Sequence, residues 1–275
     1  VATIEVVIPA KNELHHLPIV LDALQSQTLK PVRIICVDDG SSDGSGEYLE
    51  HRGCKVIRTM HLEYRERGSP DLASVFNLGL REVSALTDYI MMLGADHVLP
   101  HNYIEKSVGF MRENQLTMVS GVIEGEPTEL PRGSGRIVNA EAWRTVMGSA
   151  RYPEEYGFET YLVLKLESCG YKVGVLRELN SYVLRATGAA TSQVNYGKGM
   201  KYLGYTSKYL LGRALVTSIR YKNPIKGLQM IYGYATYSKK SDIAEYFSKR
   251  QNELLLSYLK SPRKLYRRIM LMFRR

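Results

Sequence analysis

Carboxylates, amides and small residues concentrate at three points of this 275-residue chain: Pro9-Ala10-Lys11-Asn12-Glu13, Asp38-Asp39-Gly40-Ser41-Ser42-Asp43, and Gly94-Ala95-Asp96-His97. Carboxylates on neighbouring elements can accept hydrogen bonds from the base and ribose of a nucleotide, or hold a hard divalent cation that screens a pyrophosphate. Taken singly, Asp-Asp-Gly-Ser could equally be an Asx-capped turn, since Asp, Gly and Ser favour turns anyway. A fourth acid, Glu159, opens the run Phe158-Glu159-Thr160-Tyr161-Leu162, which leads to Gly170-Tyr171. At that position a carboxylate suits the positive end of a helix dipole.

These points need elements to position them. Thr3-Ile4-Glu5-Val6-Val7-Ile8-Pro9 and Pro31-Val32-Arg33-Ile34-Ile35-Cys36-Val37-Asp38 are β-branched runs that predict buried strands. Leu17, Val20, Leu21 and Leu24 recur between them at helical spacing, so the opening reads β-α-β. Further strands are predicted over 54–58, 88–93 and 117–123, and helices over 72–83 and 103–113. A glycine- and proline-rich loop is expected over 124–135. Such alternation argues for an open parallel sheet with helices on both faces, in which ligands bind beyond the carboxyl ends of the strands. The three polar points fall at those ends. G-x-G-x-x-G is missing after the first strand, which argues against a dehydrogenase.

In combination, Val7-Ile8-Pro9-Ala10-Lys11-Asn12-Glu13, then Cys36-Val37-Asp38-Asp39-Gly40-Ser41-Ser42-Asp43, then Asn77-Leu78-Gly79 and a strand ending in Ala95-Asp96 resemble the family 2 glycosyltransferases over roughly residues 3–180. The resemblance implies an α/β GT-A fold, a Rossmann-like, mixed and mostly parallel sheet flanked by helices. It also implies transfer of a hexosyl group from a nucleotide-diphosphate sugar with inversion at the anomeric carbon. Pro9, Ala10, Asn12 and Glu13 would border the nucleotide, and Asp39 would contact the base or ribose. Arg67, Ala95, Asp96 and Arg185 would complete the donor site, Arg185 either pairing with the diphosphate or being a surface arginine. The family's usual Asp-x-Asp is here Gly94-Ala95-Asp96, so one carboxylate is lost. Asp96 matches the residue expected to touch Mn²⁺ or Mg²⁺, with His97 or the donor phosphates completing the shell; His97 could instead be a surface histidine. Glu159, eleven residues before Gly170, takes the place of the family's catalytic Asp, and Phe158 replaces the preceding Glu. Gly135, within Gly133-Ser134-Gly135-Arg136, and Trp143 fall where the family lines its acceptor site. Trp143 could stack on a sugar or be a buried anchor.

Charge divides the chain. Residues 201–275 carry 17 Lys/Arg against 3 Asp/Glu, whereas residues 1–200 carry 20 against 25, so the overall charge of +9 joins a strongly basic tail to an acidic body. Ten of the 20 tyrosines lie in that tail. From Asn195 apolar residues recur at helical spacing as far as Pro224, followed by segments 225–237 and 242–258 and a short arginine-flanked run over 262–275. The expected organisation is a catalytic domain over 1–190 and a helical, basic, Tyr-rich appendage over 191–275, docking on an anionic membrane surface. An ordinary packed subdomain and a homo-oligomer contact are the alternatives. No RNP, helix-turn-helix or zinc pattern accompanies the basic charge, so no nucleic-acid partner is expected.

With 44% apolar and 24% charged residues the chain has the composition of a folded globular protein. Three cysteines, Cys36, Cys54 and Cys169, lack metal-ligand spacing and point to a reducing compartment. The opening residues read as a strand rather than a leader, and no charge-free apolar run approaches the ~18 residues of a spanning helix. The expectation is a cytoplasmic enzyme, peripheral to the membrane, acting on a glycan or lipid-linked acceptor. A polyprenyl-phosphate acceptor, already ionised and needing no base, is the alternative that Glu159 discriminates.

Overall fold

β1 is apolar at six of its seven residues and β2 at its four central ones, Ile34 to Val37, and apolar runs of that kind are stable only when both faces are covered. In the computed structural model, which describes residues 2–60, 69–124, 129–185 and 192–259, β1 (Ile4–Ala10) is the interior strand of a sheet. It pairs in parallel with β2 (Arg33–Asp38) on one side and with β4 (Tyr89–Met92) on the other. Helix α1 (Leu17–Gln25) buries the predicted Leu17, Val20, Leu21 and Leu24. Helix α2 (Ser45–His51) leads into β3 (Lys55–Arg58), parallel to β2.

Helix α3 (Pro70–Arg81) starts two residues earlier than the apolar spacing predicts, because Ser69 caps the Leu72 amide and Pro70 takes the first turn, where no backbone donor is needed. Its Asn77 and Gly79 have separate mechanical roles. A Cβ on Gly79 would lie 2.5 Å from Val7 Cγ1, so glycine lets α3 lie flat on β1. The buried Asn77 amide bonds the Tyr152 backbone in both directions, accepting from its N–H at 2.8 Å and donating to its carbonyl at 3.0 Å.

The sheet continues past β4 with reversed direction. β5 (His97–Val98), α4 (Tyr103–Glu113), β6 (Met118–Ile123), β7 (Arg136–Asn139), α5 (Ala140–Met147), α6 (Phe158–Ser168) and β8 (Val173–Val183) complete an eight-stranded order β3-β2-β1-β4-β7-β6-β8-β5. β7 is antiparallel to β4 and to β6, while β6 and β8 are parallel. The sheet is thus mixed, and β7 lies in a stretch the sequence pattern gives only as an irregular glycine segment. From β1 the chain moves outward to β2 and β3, then returns to β4 on the opposite side of β1. That reversal opens a crevice between the carboxyl ends of β1 and β4.

Beyond β8 lie α7 (Gln193–Leu203), α8 (Ser207–Arg220), α9 (Pro224–Thr236) and α10 (Ala244–Leu259). The run read as continuous from Asn195 to Pro224 is broken at Gly204, whose φ of 86° ends α7 and whose missing side chain admits the Ala244 carbonyl. α7 and α9 meet through glycines: a Cβ on Gly197 would lie 2.0 Å from the Met230 oxygen, and one on Gly233 1.9 Å from the Val194 oxygen. These helices also touch the sheet domain. Gly199 and Leu203 pack on the Gly157 turn, and Asp242 accepts hydrogen bonds from Tyr161 Oη and Lys165 Nζ of α6. Among the described residues no helix is long and apolar enough to cross a membrane.

Candidate active site

Two loops meet at the end of β1 and β2. Asn12 takes up the left-handed conformation at φ 53°, which its short amide tolerates. Its side-chain oxygen accepts from the Ser42 amide at 2.8 Å while its own amide donates to Ser41 Oγ at 2.9 Å. Asp43 accepts from the Leu14 and Ser45 amides, both at 3.0 Å, and Ser45 Oγ accepts from the Glu13 amide at 2.9 Å. These bonds hold the Asp43 carboxyl below its ordinary range, although partial burial works in the other direction. Pro9 and Ala10 are the last residues of β1, and the Ala10 carbonyl accepts from the Asp39 amide at 2.9 Å. Asp39 is buried, with Oδ1 accepting from Thr59 Oγ1 at 2.7 Å. Asp38 is equally buried and accepts from the Ser41 amide at 3.0 Å.

Across the crevice, Asp96 lies with Ala95 in a tight turn between β4 and β5, closed by the His97 amide donating to the Gly94 carbonyl. Gly94 is required by close approach, since a Cβ would lie 3.0 Å from Asp96 Oδ1 and 3.2 Å from Ser134 Oγ. Arg185, just after β8, joins the two sides. Its Nε donates to Asp96 Oδ2 at 3.2 Å and its Nη2 to Glu13 Oε1. Both carboxylates are buried and the arginine half-exposed. Burial opposes the charge on Arg185, but Glu13 and Asp96 more than offset it and its pKa is raised. Glu13 also receives His16 Nδ1 at 2.7 Å.

Glu159 stands in the first turn of α6, which Gly157 opens in a left-handed conformation at φ 79°. Its carboxylate lies against Gly133, where a Cβ would come within 1.9 Å of Oε1. Beneath it Arg136 is buried at 1% exposure and donates Nη1 to the Glu159 carbonyl at 2.8 Å and Nε to the Arg132 carbonyl at 2.6 Å. Phe158 packs on Tyr152 at 4.8 Å between ring centroids, and Tyr152 is the residue fixed by Asn77. Burial pushes the Tyr152 phenol up to about 12, so it stays neutral beside the Arg136 cation.

Three sequence assignments change. His97 is buried, and its ring nitrogens face Ser134 Oγ and Ser181 Oγ, each at 2.7 Å; it is neither a surface histidine nor placed as a cation ligand. Trp143 is 1% exposed and stands edge-on to Tyr152 at 5.0 Å, so it is the buried anchor and offers no face to a sugar. Gly135 is also buried, with φ 82° and a Cβ position 2.8 Å from His97 Cε1; the glycine beside the Glu159 carboxylate is Gly133. Arg67 lies outside the described residues, as do residues 262–275. Residues that composition and spacing do not single out are Ser134, Ser181, Thr59 and Arg136, since each is chosen by a partner distant in sequence. Asp43, by contrast, stands in the Asp-rich loop that the sequence singles out.

Comparison with known proteins decides the family. The glycosyl transferase family 2 profile covers residues 5–173. The chain belongs to that family. It is 32% identical over 118 residues to the glycosyltransferase GlyA of Streptococcus pneumoniae, a segment that is 43% of this chain and 16% of GlyA. Among solved structures, the mannosyltransferase PcManGT of Pyrobaculum calidifontis, in complex with GDP-Man and Mn²⁺, superposes with a TM-score of 0.59 at 13% identity over 98% of this chain and 85% of its own. TarS of S. aureus, residues 1–349 in complex with UDP-GlcNAc, gives 0.55 at 14% identity over 85% and 71%. These likenesses establish the GT-A fold of the family 2 chain. The matched segments span 16% to 54% of the first curated relatives, so the remainder of those proteins has no counterpart in the comparison.

Proposed function

We propose that this family 2 chain transfers a hexosyl group from a nucleoside-diphosphate sugar to a hydroxyl of a glycan or lipid-linked acceptor, with inversion, at the cytoplasmic face of a membrane. The observation that carries the reading is the gathering of Glu13, Asp39 and Asp96 around the β1–β4 crevice, with Arg185 bridging Glu13 and Asp96. Nucleotide-diphosphate sugars are the ligands named for PcManGT and TarS, which share the fold. In this reading Pro9, Ala10, Asn12, Glu13 and Asp39 receive the nucleoside, Ala95 and Asp96 border the diphosphate, and Arg185 supplies a cation for its charge.

A divalent cation fits this residue set in one way. Among the described residues no group of three His, Cys, Asp or Glu could enclose an ion. Asp96 is a buried carboxylate in the turn after β4, and Mg²⁺ and Mn²⁺ suit sites in which one or two carboxylates combine with substrate phosphates and water. Asp96 would hold the ion, which when bound would neutralise charge on the departing diphosphate. Glu159 would accept the acceptor's proton as its hydroxyl oxygen bonds to the anomeric carbon and the diphosphate leaves with the electrons of the broken bond.

Replacing Glu159 by Gln preserves shape and removes basicity. Donor affinity should stay within twofold of the parent, roughly, while transfer falls by about 10²–10⁴-fold, the usual contribution of a positioned base. Both are read by titration calorimetry and by release of nucleoside diphosphate in the presence of acceptor. Undiminished transfer would move the reading to an acceptor phosphate, which needs no base.

A further inference from the structure

The α8–α9 pair carries an apolar ridge that nothing described in the fold covers. Leu211, Leu215 and Ile219 of α8 and Ile225, Leu228 and Tyr232 of α9 are each between 53% and 63% exposed. On α8 the order Lys208, Leu211, Leu215, Ile219 follows steps of three and four residues, so a lysine heads the apolar stripe on one face, and Lys222 lies in the turn just past the helix end. On α9 the three apolar residues are likewise three and four apart. The two helices are joined by a short turn and touch where Gly227 meets Ala214. At about 100° per residue, the α8 stripe stands about 60–140° from Ala214 and the α9 stripe about 100–160° from Gly227 in the same rotational sense, which for an antiparallel pair turns both toward the same outer flank. Six large apolar side chains therefore share one surface.

Charge identifies what that surface fits. The span from Gln193 to Thr236 contains seven Lys/Arg and no Asp or Glu. Lys198, Lys201 and Arg213 lie over the rings of Tyr156, Tyr234 and Tyr196, at 4.9, 4.8 and 5.5 Å, while Lys208 and Lys222 are exposed beside the ridge. A second copy of this surface would bring like charges together, and so would residues 260–275 of this chain, which carry seven Lys/Arg and no acid. Nucleic acid supplies negative charge but no place for leucine and isoleucine side chains. We infer that the α8–α9 ridge lies in the headgroup boundary of an anionic bilayer, with Leu211, Leu215, Ile219, Ile225, Leu228 and Tyr232 inserted and Lys208 and Lys222 on lipid phosphates. Long basic side chains can do this because their stems follow the apolar surface while their charged ends stay at headgroup level. The inference rests on the peripheral-membrane reading above and specifies the surface that carries it.

Flotation of the intact chain with vesicles of equal parts phosphatidylglycerol and phosphatidylcholine tests it. Leu215→Ser and Leu228→Ser are exposed substitutions that spare the core, and each should weaken vesicle binding about tenfold. Leu86→Ser, at a still more exposed leucine on the sheet domain (88%), should leave binding unchanged. Lys208→Glu with Lys222→Glu should also weaken binding, and added salt should reduce the parent's binding because it screens the same attraction. Leu228→Trp adds a second readout: brominated lipid should quench the new indole and spare the buried Trp143. If the parent binds and the serine variants bind as well as it does, the ridge is wrong and another surface carries the membrane reading. A parent that fails to float overturns both. Dimers in sedimentation velocity that Leu215→Ser dissociates would assign the face to a second copy, as would equal binding to neutral vesicles for a purely apolar contact.

Discussion

At the ends of β1 and β2, Asn12, Ser41, Asp43 and Ser45 join two loops by bonds between side chains and backbone, whereas α7 and α9 meet backbone to backbone through Gly197 and Gly233. The first device fixes the direction of polar groups, because each bond has a preferred angle and partner. The second fixes distance and little else, since van der Waals contact is non-directional. A crevice that must present carboxylates to a ligand needs the first; a helical layer that must hold a surface at a set height can rely on the second. The two regions should therefore fail differently when disturbed.

The largest expected difference is at Gly233. A valine there would meet the Val194 carbonyl, and forcing the helices apart should cost about 3 kcal/mol, at the upper end of the usual overpacking penalty. Urea denaturation would measure it, and nucleotide binding by the folded fraction should persist. Simultaneous loss of donor binding at equal occupancy of the folded state would join the two regions into one unit. Asp39→Ala should have the converse effect. A hydrogen bond from a ligand to a charged group is worth about 1.5–3 kcal/mol, so donor affinity should fall at least tenfold, roughly, while the helices keep their stability. Calorimetry in the presence of Mn²⁺ would read it, and unchanged affinity would remove Asp39 from the donor site.

Gly212 tests whether glycine as such matters. A Cβ there has open space on all sides, in the interior of α8, so Gly212→Ala should stabilise the protein by roughly 0.5–1 kcal/mol through helix propensity. A destabilisation like that of Gly233→Val would break the distinction between packed and open glycines. The smallest effect concerns pH. Asp43 has a carboxyl depressed in the folded state, so its ionised form contributes stability above the unfolded carboxyl range and loses it as pH falls through the depressed value. Because the side chain is exposed, the contribution should stay below about 1 kcal/mol. Denaturation between about pH 5 and pH 2 should show it, and Asp43→Asn should flatten that part of the profile; an Asn variant with an unaltered slope would assign the acid sensitivity elsewhere.

Much of the crevice was legible because its chemistry is local. Ala10, Asn12, Asp39 and Asp43 lie within two short loops, and their order along the chain declares both the strand ends and the turns between them. Helix α1 was equally plain from four leucine and valine positions. Other features depend on partners far away in the chain. Nothing within Gly133-Ser134-Gly135 tells which glycine abuts Glu159, because the answer lies in α6. His97 read either as a ligand beside Asp96 or as a surface histidine, and the Ser134 and Ser181 hydroxyls against its ring come from distant strands and loops. Trp143 looked like a sugar platform until Tyr152, pulled in by Asn77, covered it. The break at Gly204 escaped periodicity because α7 and α8 have compatible spacing and the interruption is set by Ala244.

Tyr103 has a consequence for how such an enzyme changes over generations. Its buried hydroxyl donates to the Gly135 carbonyl and accepts from the Gly121 amide, both at 2.7 Å. One side chain on α4 thereby fastens the chain where it leaves β6 and again where it enters β7. The residues between the end of β6 and Arg132 can be exchanged, shortened or extended at small cost in closure entropy, because that cost grows only slowly with length. Gly133 and Ser134 hang from the second fastening and would keep their relation to Glu159 and His97 through such exchanges. Descendants of one ancestral sequence could thus diverge in what they accept while inheriting an unaltered means of handling the donor.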